Sequence, residues 1–432
     1  MCHVEYNYSF LAPLFFALRD EGHEVIAACN LDHDGRQVRR YVGEGFHLHQ
    51  IRAARAVTPS ALTMDIFRLA AYLRRERFDV VHVHGPLLSM QARIASWIAG
   101  VPIVVYQAHG FYWHDEMRRL PRLTVGALEW VFGRLLTDYL VTVNVEDHEY
   151  AVRRRFRCDP TQIIQVPGVG IDPVRFRPVG DDTAARRSRD EIRSAVGLPS
   201  DGVVVTFVGR LVAEKGVVEL LEAFRHVAAR VPRTQLWLVG EVQDSERDQR
   251  TGEWLRAQLA ARGFAAVVAF GRRDDVDVLL RASDIFVLPS HREGMPVALL
   301  EAMATGLPVV ATDVRGCREA VQPGCSGILV PPRSARALVE ALSGLVEHPQ
   351  LRSQMGTEAR ARVLTRYTTV HSVERYLQLY RRIGRDLSGR HTATGQGGGR
   401  RGKSAWRTVG WQWGTFGLTP RPWRNGVRSN LD

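Results

Sequence analysis

Apolar residues in the first third of the chain switch repeatedly between two spacings. Phe10, Leu11, Leu14, Phe15 and Leu18 recur three to four positions apart, the repeat of one helix face. Past Gly22, a short apolar run over 25–29 reads as a strand. The alternation then continues. A helix over about 60–75 precedes a strand at Asp79-Val-Val-His-Val-His84. A helix over 87–99 stops at Gly100, ahead of Pro102-Ile-Val-Val-Tyr106, and a longer helix over 123–136 leads to a strand over 139–143. Short apolar strands separated by amphipathic helices predict a parallel sheet covered on both faces.

The second half repeats this grammar. Strands are expected over 203–208, 235–239, 267–270, 285–288 and 308–311, with helices over 217–229, 245–261, 276–281 and 297–304. Helices over 335–346, 351–364 and 370–387 follow. The polar stretch Arg177-Pro-Val-Gly-Asp-Asp-Thr between the halves, followed by a short helix over 190–196, reads as a linker. The expected division is a first α/β domain over 1–178, a linker over 179–197 and a second α/β domain over 198–366. A helix over 367–388 would pack back toward the first domain. Two doubly wound domains joined in this way leave a ligand cleft between the carboxyl ends of their sheets.

A length of 432 residues suits two such domains. The net charge of +12 raises the question of nucleic acid, an anionic membrane or a phosphorylated ligand. Its distribution narrows the choice. Only Lys215 and Lys403 among the 58 basic residues are lysine, so the arginine excess is a background property of the chain. From Gly389 onward, eight basic residues face the single acid Asp432, and ten glycines interrupt any periodicity. That segment, 389–432, is expected to be a disordered basic tail. It also carries Trp406, Trp411, Trp413 and Trp423, aromatics that could meet a membrane interface or single-stranded nucleic acid. The cysteines are five, with no C-x-x-C spacing, which argues against a disulfide scaffold or a structural zinc and fits a reducing compartment. No signal peptide and no uncharged apolar run of about 18 residues is visible, so a soluble or peripheral protein is expected.

Two motifs carry chemistry. In Glu293-Gly-Met-Pro-Val-Ala-Leu-Leu-Glu301 an apolar strand ends in a loop, and Pro296 suits the first turn of a helix. Gly294 permits close backbone approach to a ligand, and the free N–H groups at the helix start suit an anion such as a diphosphate. Glu293 and Glu301 could grip hydroxyls on either side of it. In Gly209-Arg-Leu-Val-Ala-Glu-Lys215-Gly216, placed directly after a strand, Arg210 offers a fork of donors for phosphate oxygens and Lys215 a point charge. The spacing is not that of a Walker motif. His82 and His84, two apart on a strand, point the same way, but no third metal ligand accompanies them.

Together these segments resemble glycosyltransferase family 4, retaining enzymes with an E-x7-E motif and the two-domain GT-B fold. Matching stretches include Phe207-Val-Gly-Arg210, Glu214-Lys-Gly216, Phe270-Gly271, Ser283-Asp-Ile-Phe-Val-Leu-Pro-Ser290 and Gly306-Leu-Pro-Val-Val-Ala311. In the first half Gly22-His-Glu-Val25, His109-Gly110 and Val166-Pro-Gly-Val-Gly-Ile-Asp172 also match, so the likeness spans about residues 8–387. The resemblance implies that Arg210 and Lys215 bind the donor diphosphate and that Glu301 binds the ribose. Glu293 and the Gly294–Met295 backbone would take the donor sugar, and His109 would face the cleft from the first domain. Gly209, Arg272 and Val297 fall among the implied donor-binding positions, Arg272 at the base. His109, Glu293, Arg210 and Lys215 are the implied catalytic group, with neither metal nor cofactor required. The implied chemistry is same-face transfer, with a donor phosphate oxygen taking the acceptor proton.

Only Met1-Cys-His-Val4 precede the first helix, and no Gly-Gly pair follows. The family's first central strand is therefore expected to be short or missing here, from a start that lies upstream or from truncation. Phe111-Tyr-Trp-His, the basic stretch Met117-Arg-Arg-Leu-Pro-Arg-Leu and the helix after it suit peripheral contact with an anionic membrane. His109-Gly-Phe-Tyr and Asn144-Val-Glu-Asp-His-Glu-Tyr look most like members that build capsule, O-antigen or exopolysaccharide. The resemblance thus implies a UDP-linked nucleotide-sugar donor, a glycan or polyprenyl-linked acceptor, and a place in the cytoplasm at the inner face of the cell membrane, without nucleic acid. A same-fold UDP-sugar epimerase and an inactive GT-B homologue acting as a binding protein are the alternatives.

Overall fold

The computed structural model of the chain describes residues 2–4, 11–29, 42–51, 59–111, 117, 119–157, 159–242, 248–260, 264 and 266–393. The first half builds strands β1 (Cys2–Val4), β2 (Ile26–Cys29), β3 (His47–Gln50), β4 (Val80–His84), β5 (Ile103–Ala108), β6 (Tyr139–Thr142) and β7 (Ile163–Gln165). They form one sheet in the order β3-β2-β1-β4-β5-β6-β7, and every pairing in it is parallel. Every residue of β4 and β5 is buried, which is why these strands read as nearly continuous apolar runs. The first strand, expected to be short or missing, is present and short. It is three residues long but central, pairing β2 through Cys2–Ile26 and β4 through Cys2–Val81.

The second half builds β8 (Val203–Val208), β9 (Thr234–Val239), β10 (Val267–Gly271), β11 (Ile285–Leu288), β12 (Val309–Thr312) and β13 (Gly327–Val330). Their order is β10-β9-β8-β11-β12-β13. In both sheets the strand order reverses beside the first strand, the switch point at which such folds bind ligands. The edge strands β3, β7 and β13 have no counterpart in the apolar pattern. They are three or four residues long, and β3 (His-Leu-His-Gln) is mostly polar, so pairing rather than composition makes them strands.

The expected linker is largely helical. Thr183–Ala195 is a helix capped by the Asp182 carboxylate, and it packs on the second domain. Arg193 donates to the Ala282 carbonyl at 3.0 Å and to Asp284 at 2.9 Å, and Arg189 reaches the other Asp284 oxygen at 2.9 Å. The chain crosses from the first domain past Ile171 and returns past Thr368, and these two crossings pair through Ile171 N–H to Tyr367 and Thr369 N–H to Ile171.

The last helix runs Thr369–Ala393, five residues into the segment expected to be tail. Its Tyr376, Leu379, Tyr380 and Ile383 share a core with Leu14, Phe15, Val80 and Val105 of the first domain. The tyrosine hydroxyls reach its central strands: Gln107 donates to Tyr376 at 2.6 Å, and Tyr380 lies 2.8 Å from His82 Nδ1. The basic, tryptophan-bearing stretch 394–432 lies outside the described residues.

Candidate active site

The second domain positions its cations through two loops in backbone contact. The first leaves β8 at Gly209 and Arg210 and turns through a 3-10 segment, Ala213–Lys215, into Gly216 at φ 71°. A side chain on Gly216 would run into the Pro289 carbonyl of the second loop. This contact brings Lys215 Nζ to 2.6 Å from Glu293 Oε1, with 19% and 11% of the two side chains exposed. The Ser290 hydroxyl donates to the same carboxylate oxygen at 2.7 Å. Glu214 is bonded by Arg292 Nε at 2.9 Å, and Arg210 lies 4.0 Å away. Burial pushes the Glu214 carboxyl up, but the charge and hydrogen bond of Arg292, with Lys215 and Arg210, leave it below its ordinary range.

The helix after the second loop is Val297–Ala304, with Pro296 as its N-cap. Glu301 therefore lies one turn inside it. Burial raises the Glu301 carboxyl to about 7, with Arg175 pulling it down and Asp277 pushing it up.

The first domain supplies the loop after β5. A side chain on Gly294 would collide with the His109 carbonyl and the Gly110 nitrogen, so the backbones of the two domains touch here. Loss of bulk water between the domains lowers the His109 pKa. The residue stays exposed toward the cleft, so water there offsets part of the effect. His84 Nδ1 lies 3.3 Å from His109 Nε2, and the His84 ring stacks on His82 at 4.3 Å. Burial holds His82 at about 3, with further lowering from His109. The two strand histidines thus do share a face, but they serve a ring stack and a tyrosine contact. Among the described residues no cluster of three or more His, Cys, Asp or Glu could hold a metal ion.

His109, Arg210, Lys215, Glu293 and Gly294 line one cavity of about 390 Å³ between the domains. Gly209, Arg272, Met295, Val297 and Glu301 do not line it. Gly209 closes a backbone bond to Val239 at 2.9 Å, Met295 packs toward Gly168, and Arg272 is exposed beyond β10. Sequence reasoning missed several residues of the cavity, among them Asp147, His291, Asp313, Arg315 and Arg318. The one local signal was Asn144 three residues before Asp147, the pattern of a capped helix start.

Two family descriptions match the chain: "Glycosyl transferase 4-like domain" over residues 11–168 and "Glycosyl transferases group 1" over 188–362. The chain is 31% identical over 312 residues to a D-inositol 3-phosphate glycosyltransferase of Catenulispora acidiphila, covering 69% of this chain and 70% of that one. The chain belongs to this glycosyltransferase family. It is also 29% identical to the Escherichia coli UDP-Gal:alpha-D-GlcNAc-diphosphoundecaprenol alpha-1,3-galactosyltransferase, over 73% of this chain and 78% of that protein. In fold, the transferase superimposes on Anabaena Alr3699/HepE, solved in complex with UDP and glucose, with a TM-score of 0.73 at 17% identity. That match covers 88% of this chain and 98% of the other, which makes the architecture GT-B. The two family descriptions and these curated relatives are all of glycosyltransferases.

Proposed function

We propose that this transferase moves a sugar from a UDP-sugar to a sugar carried on a polyprenyl diphosphate, with retained anomeric configuration, in the synthesis of a cell-surface polysaccharide. The observation that carries the reading is the convergence of Arg210, Lys215, Glu293, Gly294 and His109 on one interdomain cavity. The galactosyltransferase relative, whose own name specifies a UDP-sugar and a diphosphoundecaprenol acceptor, supports the substrate classes.

In this reading the donor diphosphate displaces Glu293 from Lys215. Lys215 and Arg210 then neutralise the departing nucleotide diphosphate, and the freed Glu293 carboxylate accepts hydrogen bonds from the sugar hydroxyls. Glu301 takes the ribose and Arg272 the base. His109, its pKa lowered, is a neutral ring at pH 7 and can exchange a hydrogen bond with the sugar without opposing the cationic diphosphate site. Charge stabilisation comes from side chains, so no metal and no cofactor is needed.

The acceptor reading places the protein at the inner membrane face. Helix Arg119–Leu135 turns Glu129 inward, where Arg93 Nη2 holds it at 3.0 Å. Its outer face exposes Leu120, Leu123, Trp130 and Leu135 beside Arg119, Arg122 and Arg134. Such a face suits the interface of an anionic bilayer. The aromatic stretch 112–116 lies outside the described residues. No helix among the described residues is long and apolar enough to cross a membrane.

A thermal-shift screen of UDP-, GDP- and ADP-sugars, followed by turnover of the stabilising donor with a polyprenyl-diphosphate sugar and assignment of the product anomer, tests the reading. Stabilisation by a UDP-sugar and a retained anomer are expected. Turnover only with another nucleotide, or an inverted product, refutes it. Flotation with anionic liposomes should carry the protein upward, and Leu120→Asp with Leu123→Asp should leave it at the bottom.

A further inference from the structure

The helix Val145–Arg153 opens with a carboxylate that no role above uses. Asp147 is 1% exposed and takes donors from three separate places. Within its own helix start, the Asn144 amide donates to Asp147 Oδ2 at 2.8 Å, while the Asp147 N–H returns a bond to Asn144 Oδ1 at 2.8 Å. From the catalytic loop of the first domain, the Phe111 N–H donates to Oδ2 at 3.2 Å, two residues past His109. From the second domain, Arg315 Nη1 donates to Oδ1 at 2.8 Å.

The contacts around this carboxylate also reach the donor loop. The Asn144 amide that bonds Asp147 donates to the Gly294 carbonyl at 3.1 Å. Gly316, beside Arg315, lies so close to that carbonyl that a side chain there would collide with it. One buried acid therefore holds the loop two residues past His109 in one domain and, through Asn144, is linked to the Gly294 carbonyl next to Glu293 in the other. Neighbouring contacts run the same way, Arg318 to Glu146 at 2.7 Å and the Val145 N–H to Glu319 at 2.6 Å. Those partners are more exposed or end on backbone, and neither touches the His109 loop.

We propose that Asp147 is a positioning residue which, through Arg315 across the cleft, holds the His109–Phe111 loop in register with the Glu293–Gly294 loop. The inference rests on the site reading given above. Asp147 and Arg315 stand in the cavity wall, and Asp147 acts there by fixing the relative placement of the groups that bind donor and acceptor. Misplacement of about 1 Å in such a constellation costs on the order of a hundredfold in rate. Donor affinity should change far less, because Arg210, Lys215, Glu293 and Glu301 all belong to the second domain.

The test has two arms on the full chain. In the kinetic arm, Asp147→Ala and Arg315→Ala are each expected to lower kcat by about tenfold to a hundredfold, with the donor KM within about threefold of wild type. The double variant should lose little more than either single one, since both break the same link. Arg315→Lys should recover part of the rate. The second arm needs no activity. Hydrogen exchange followed by mass spectrometry should show that Arg315→Ala, a change in the second domain, speeds exchange of the first-domain peptide spanning residues 109–111. Unchanged exchange there overturns the proposal, as does a kcat near wild type in Asp147→Ala. A wild-type protein that turns over no nucleotide sugar would instead refute the proposed function, and the exchange result would still decide the positioning role.

Discussion

Replacing Lys215 with methionine removes one charge while keeping the length and the apolar stem of the side chain. The ammonium is held 2.6 Å from Glu293, and both groups are mostly shielded from solvent. The change leaves Glu293 with the Ser290 hydroxyl at 2.7 Å as its remaining side-chain donor. Stranding a partly buried acceptor in this way costs about 1–3 kcal/mol of stability. The cleft opens to water, which places the cost toward the lower end. The catalytic loss should be larger. A fixed donor aimed at charge that develops in the transition state contributes about 2.7–4 kcal/mol, or roughly a hundredfold to a thousandfold in rate. Steady-state release of nucleotide diphosphate measures the second effect, and thermal unfolding without donor measures the first. The expected result is a variant that melts a few degrees lower and turns over at least about a hundredfold more slowly at saturating acceptor. A variant whose kcat/KM stays within about threefold of wild type would refute the assignment of Lys215 to the leaving group, whatever its melting temperature.

Glu301, raised to about 7 by burial, should make donor use depend on pH. The ionised carboxylate accepts two ribose hydroxyls as charge-assisted bonds that the protonated acid makes only weakly, so kcat/KM for donor should fall by up to about tenfold per pH unit below 7. Glu301→Gln should flatten that limb, and a profile unchanged by the substitution would disprove the ribose role. The raised pKa also means the folded protein holds this proton more tightly than the unfolded chain. The associated stability is complete below the ordinary value of 4.5 and is lost as pH rises through about 7. The melting temperature of Glu301→Gln relative to wild type should therefore climb across that window. Arg93 and Glu129 form an ion pair with 0% and 1% of their side chains exposed, and Tyr106 donates to the same acid at 3.1 Å. Arg93→Ala should cost about 3–5 kcal/mol in denaturant unfolding, because it leaves a buried carboxylate uncompensated. Arg93→Met with Glu129→Leu should restore most of that loss, and a double variant as unstable as the single one would contradict this explanation.

Fold class was legible because the central strands are buried on both faces. Val-Val-Val-Thr-Phe-Val at 203–208 and Ile-Phe-Val-Leu at 285–288 leave no polar side to confuse the pattern, and the structure has strands at those positions. The motif loops were legible for a similar reason. Gly216 and Pro296 state local backbone requirements that neighbouring residues cannot override. Edge strands escaped notice, because β3 and β7 are defined by the strand beside them. The region between the domains reads as polar and broken, yet much of it is a helix held by Asp284, a residue 91 positions from Arg193.

The sequence by itself determined two α/β layers and a pair of cationic and acidic loops at strand ends. These depend on torsion preferences and on the apolar face of one element at a time. Only the tertiary structure decided that Lys215 is paired with Glu293, 78 residues away, and that Asp147 answers to Arg315 at a separation of 168. It also decided that burial moves Glu301 into the physiological range. Each of these follows from which distant surfaces exclude water together. A local pattern records a residue's own preference and carries no term for the partner that folding will bring beside it.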